Sequence, residues 1–141
     1  MVTKKGKGKY YSIYRYEIQE TIDSFGEELV NPGPYTANRG GTWIFGEDKE
    51  EKYIELYDEM CRKHSGSSHP TRGEDRLGYD DIFCACPTLK DLKKWFKGFN
   101  KPLIDIGFNL VEYRVKTFVM GVSGKQCGFR REDVIGKKIL A

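Results

Sequence analysis

The sequence predicts an α+β fold: a single domain built as a mostly antiparallel, twisted sheet packed with two main helices. Three observations lead there. Short runs rich in aromatic and β-branched residues alternate as half-buried strands do, while two longer segments repeat apolar residues at helical spacing. At 141 residues the chain is long enough to bury one ordinary core. A content of 38% hydrophobic and 13% aromatic residues, with nine Tyr, eight Phe and two Trp, is too apolar for disorder.

The opening MVTKKGKGK reads as a mobile basic tail over residues 1–9, with the domain proper over 10–141. Lys4, Lys5, Lys7 and Lys9 supply four of its charges; taking these four from the net +3 leaves −1 for the domain. Composition therefore does not point to nucleic acid as a partner. Tyr10–Ile18 (YYSIYRYEI) predicts a strand with Tyr14, Tyr16 and Ile18 on one face and Ile13, Arg15 and Glu17 on the other. Residues 19–46 are irregular. NPGPY and NRGG are turn chemistry, with TWIF as a short strand inside the stretch.

Glu47–His64 predicts a helix, acidic at its start and basic at its end as the macrodipole favours. Its apolar stripe would be Tyr53, Ile54, Tyr57, Met60, Cys61 and His64. A polar connection over 65–78 is long enough to be either mobile or functional. Ile82–Cys86 predicts a short strand. Thr88 then caps a second helix over 88–98, with Asp91 completing a capping box and Leu89, Leu92, Phe96 and Phe99 facing the core. Phe108–Val115 predicts a strand with Val111, Tyr113 and Val115 inward, and Gly121, Gly124 and Gly128 break the remainder into a turn and a further short strand.

No run approaches the ~18 apolar residues of a membrane span, and the N-terminus lacks the apolar stretch of a signal peptide. Cys61, Cys84, Cys86 and Cys127 are accordingly expected as reduced thiols in a cytoplasmic protein. Cys84-x-Cys86 has the wrong spacing for a zinc knuckle and the right one for two residues on one strand face, so packing explains it better than metal. VSGKQ lacks the preceding glycine and the following helix of a phosphate loop. The residues identify no catalytic group, metal site or cofactor.

Four residues have the chemistry of a ligand site. Arg15 offers a planar fork for a phosphate or carboxylate, Tyr35 and Trp43 offer stacking surfaces for a base, and His69 adds a hydrogen bond from the polar connection beside Arg72, Glu74, Asp75 and Arg76. The bland alternative pairs Arg15 and Glu17 with Glu112 and Arg114 across an exposed sheet face, where such ion pairs contribute little. His64, at a helix end on the apolar face, reads as a capping or core histidine.

The residues Tyr14-Arg15-Tyr16-Glu17, Gly33-Pro34-Tyr35, His69-Pro70, Thr88-Leu89, Leu92, Trp95-Phe96, Gly107-Phe108, Glu112-Tyr113 and Gln126 resemble small accessory proteins of tailed phages and prophages. That resemblance covers most of the chain and implies a factor that blocks a host defence system by binding. The order of elements is also similar to the ADP-ribosyltransferase superfamily, with Arg15 on the first strand and Phe83–Phe96 as the strand entering a helix. No Ser-Thr-Ser and no Glu-x-Glu follows, so this likeness implies a nucleotide-shaped cleft more than transferase activity. The expected function is thus a non-enzymatic anti-defence inhibitor in the host cytoplasm. It would capture a nucleotide-like small molecule or a host protein through Arg15, Tyr35, Trp43 and His69. The alternative is an ADP-ribosyltransferase-like enzyme acting on NAD.

Overall fold

Three layers organise the molecule: helices, a three-stranded sheet and a four-stranded sheet. The structure, a computed structural model, describes residues 2–5, 10–18, 33–35, 47–64, 69–77 and 82–141. The described strands are β1 (Val2–Lys5), β2 (Tyr11–Glu17), β3 (Ile82–Ala85), β4 (Asn109–Val115), β5 (Thr117–Met120), β6 (Cys127–Arg130) and β7 (Val134–Ile139). The helices are α1 (Glu47–Lys63), α2 (Leu89–Trp95) and α3 (Asn100–Ile106). One sheet runs β1-β5-β6-β3 and the other β2-β4-β7, and every described pairing is antiparallel. The predicted α+β class is the observed one.

β2 divides two cores because its residues point alternately to either side of the sheet. Tyr16 and Ile18 join Leu110 and the helices, where Tyr53, Leu56, Met60, Leu92, Phe96, Phe99, Leu103 and Ile106 pack together. Ile13 turns the other way, toward Val111, Tyr113, Val115, Phe118 and Phe129 between the two sheets. Both faces of β2 are therefore covered. The sheets meet at its edge, where Tyr14 and Cys86 exchange backbone hydrogen bonds of 2.9 and 2.7 Å.

Several elements follow the sequence closely and others depart from it. Thr88 caps α2 as predicted: its hydroxyl accepts from the Asp91 N–H at 3.0 Å and donates to the Asp91 carboxylate at 2.8 Å. Along α1 the buried stripe is Tyr53, Leu56 and Met60; Ile54 and Cys61, expected inside, are exposed. Leu56 lies closer to the centre of the Tyr53–Met60 stripe, and only one side of this helix meets the core. α3 was not predicted. It starts without a side-chain cap, and Gly98 (φ 88°) just before it gives the signal of an ending rather than a beginning. Pro102 in its first turn and Gly107 (φ 124°) at its close are the signals that could have marked it.

β7 was also missed, because Gly136 lies within it. Val2–Lys5, expected inside a mobile tail, forms β1 against β5, with Val2 opposite Met120 and Lys5 opposite Thr117. TWIF and Trp43 lie outside the described residues. Among the described residues, no helix is long and apolar enough to cross a membrane.

Candidate functional site

Two histidines stack at the end of α1. His64 continues the helix backbone, its N–H donating to the Met60 carbonyl at 2.7 Å. His69 returns from the polar connection and lies flat on it, ring centroids 4.0 Å apart and planes 8° from parallel. The return of the chain is held by Asp75, which is fully buried. Its carboxylate accepts from the Ser123 N–H at 2.8 Å, the Ser123 hydroxyl at 3.0 Å and the Gln126 side-chain amide at 2.8 Å. Gln126 also donates to the Pro70 carbonyl at 2.8 Å, one residue beyond His69. The segment after His69 is thus fixed to the β5–β6 turn by a satisfied buried acid.

Trp95 and Tyr35 close the cluster. Trp95 Nε1–H donates to the Tyr35 hydroxyl oxygen at 2.9 Å, and that hydroxyl is in turn bonded to His64 Nδ1. The Tyr35 hydroxyl thus joins the indole of Trp95 to the His64 ring. His69 Nε2 lies 2.7 Å from the Trp95 carbonyl, which can only accept, so His69 carries its proton on Nε2. Phe96 stacks on Tyr35 at 5.8 Å, and Phe99 meets the His64 ring edge-on at 5.2 Å. The Lys63 ammonium lies over Phe99 at 5.7 Å.

Burial keeps His64, Tyr35 and Cys86 neutral. Burial, then the neighbouring His69, lowers the His64 pKa to about 4. Burial raises the Tyr35 hydroxyl, partly offset by the hydrogen bond from Trp95. Burial likewise pushes the Cys86 thiol, in the same core, up to about 12. None of the three is poised as a base or nucleophile near pH 7. Flat rings with fixed donors suit stacking and hydrogen bonding instead.

Of the four residues the sequence singles out, the structure brings Tyr35 and His69 together and does not bring Arg15 to them. Trp43 lies outside the described residues. Arg15 is 8% exposed and points to the opposite side of β2, its guanidinium near Phe83 and Phe129 at 5.9 and 6.0 Å and its Nε 3.5 Å from Glu17. Glu17 also accepts from the Tyr113 hydroxyl at 2.7 Å and pairs with Lys137. The alternative of an exposed four-charge face fails as well. The register sets Tyr14 against Glu112 and Ser12 against Arg114, so Glu112 and Arg114 share a face with each other and not with Arg15 and Glu17.

His64 and Trp95 are the residues that sequence reasoning passed over. His64 passed for a capping residue and Trp95 stood beside the predicted stripe; only a contact from 26 positions away joins Trp95 to His69. Cys86 and Cys127 are buried, Cys84 is half-buried and Cys61 exposed, all as free thiols. Among the described residues no group of three or more His, Cys, Asp or Glu could hold a metal. The buried setting of Arg15 lends no support to the ADP-ribosyltransferase likeness, which needs that residue at an open cleft.

A family model described as Bacteriophage T4 Y00F protein matches residues 4–139. No curated protein and no solved structure matches the chain. The match spans nearly the whole sequence, and the chain belongs to this phage protein family.

Proposed function

We infer that this phage protein acts by capture: it binds a nucleotide-like ligand, or a host protein, at the Tyr35–His64–His69–Trp95 cluster and so inhibits a host defence factor. The observation that carries the reading is the stacked histidine pair, half-buried and locked in place by Tyr35 and Trp95. A stack already held parallel at 4.0 Å loses little further freedom when an aromatic ligand joins it. The Lys63 ammonium stands over Phe99 at the same helix end, where a phosphate would replace its exposed Glu59 partner. A neutral His64 and raised Tyr35 and Cys86 favour holding a ligand over converting it.

Trp95 makes the reading measurable. Titration of ATP or NAD into the protein should quench Trp95 fluorescence, and Trp95→Ala should weaken binding by about 1–3 kcal/mol, as for a lost base-stacking ring. Mass spectrometry of the molecules released on denaturation should return the ligand unchanged. Conversion of NAD to nicotinamide would replace capture with catalysis. No released ligand, no quench and no captured host protein would remove the proposal.

A further inference from the structure

α1 and α2 present opposite charges over the same length. The outward side of α1 carries Glu51, Ile54, Glu55 and Asp58, all exposed, and that of α2 and its following turn carries Lys90, Lys93, Lys94 and Lys97, also exposed. The acidic set follows i, i+3, i+4, i+7 spacing over about 10 Å of α1 at 1.5 Å per residue, and Lys90, Lys93 and Lys94 follow i, i+3, i+4 spacing on α2 with Lys97 in the turn after it. Among the described residues no ion pair joins either set to another side chain; the ion pair on these two helices is Lys63 with Glu59.

Both stripes carry a local cost. Lys90 with Lys94, and Glu51 with Glu55, are like charges one helical turn apart, an arrangement that destabilises an isolated helix. Ile54, 46% exposed, lies among the acids, where an apolar side chain gains only if something covers it. An oppositely charged stripe of equal length offsets the repulsion and covers Ile54. The chain itself supplies such a stripe.

We propose that the protein pairs with a second copy of itself, the Glu51–Asp58 face of each protomer seated on the Lys90–Lys97 face of the other. In a twofold pair each protomer gives one stripe and receives the other, so the contact is made twice and the assembly closes. Charges exposed at the rim of a contact steer association and are screened by salt, so the pairing is salt-sensitive.

Sedimentation velocity with charge reversal tests this. The native protein should sediment as a dimer in about 20 mM salt and shift to monomer in about 500 mM salt, where the screening length falls to a few ångströms. A chain with Lys93→Glu and Lys94→Glu, and another with Glu51→Lys and Glu55→Lys, should each be monomeric alone. Mixed in equal amounts they should pair, because every stripe then meets its opposite. Thermal melts of the two reversed chains check that each is folded. A native protein that stays monomeric at low salt overturns the proposal, even if a reversed chain fails to fold. So does a mixture of two folded reversed chains that fails to associate, or a reversed chain that dimerises alone.

Discussion

His64 touches Tyr35 on one side and His69 on the other, and its setting makes stability depend on pH. Its folded pKa, about 4, lies below the ordinary 6.5. Between those values the unfolded chain binds a proton that the folded one refuses, so stability rises with pH in that window. Read downward, stability is lost as pH falls from 6.5 to about 4, and above 6.5 this group contributes no slope. His64 is half-buried rather than enclosed, so screening keeps the loss modest. Urea midpoints should fall between pH 7 and 4.5 more in the native protein than in His64→Gln; parallel curves would refute the assignment. Gly33 poses a second test at this scale. A Cβ there would lie 2.9 Å from Arg15 Nη2 and 3.4 Å from the Tyr16 carbonyl oxygen. The guanidinium is buried and held by Glu17, so Gly33→Ala should destabilise by about 1–3 kcal/mol, as overpacking does. Because Gly33 leads directly to Tyr35, the NMR titration midpoint of His64 should rise too; an unchanged midpoint and melt would show that Arg15 yields freely.

α2 shows how far a sequence can be read at the scale of one element. Phe96 is 5% exposed in the helical core and Lys94 is exposed. Phe96→Ala should cost about 3–5 kcal/mol as a large-to-small core change. Lys94→Ala should cost under about 0.5 kcal/mol. Equal melting temperatures for the two would overturn the orientation of the helix. This much was legible because Thr88, Asp91 and the Leu92–Phe96 spacing are local signals that agree with one another. α3 lacked such agreement, having Phe99 where a polar cap would stand. The site was half-legible for a related reason. Tyr35 and His69 have chemistry visible in any context, but their meeting depends on Trp95, whose partners come from distant parts of the chain. Arg15 misled because burial is invisible in a single strand. Its alternation with Tyr14 and Tyr16 looked like one open face, and both faces are in fact covered.

At the scale of the whole molecule, β2 and β4 separate the site from the charged network. Tyr35, His64 and Trp95 belong to the helical side. Glu17, Arg15, Tyr113 and Lys137 belong to the space between the sheets, where burial and the Glu17 carboxylate raise the Tyr113 hydroxyl. Each network is anchored by a tyrosine hydroxyl, so removing one oxygen from each measures whether the two cores share energy. Tyr113→Phe deprives the buried Glu17 of a donor. Tyr35→Phe leaves the Trp95 N–H and His64 Nδ1 without the oxygen between them. Each should destabilise by about 1–3 kcal/mol, the cost of a buried polar group losing its partner. The Tyr113 hydroxyl bonds to Glu17 and the Tyr35 hydroxyl to Trp95 and His64, so the double variant should equal the sum within about 0.5 kcal/mol. Tyr35→Phe with Trp95→Phe should depart from additivity, because both substitutions remove the same bond. A coupling above about 1 kcal/mol between Tyr113 and Tyr35 would mean that β2 transmits strain from one core to the other, and Arg15 at Gly33 would be the contact to suspect.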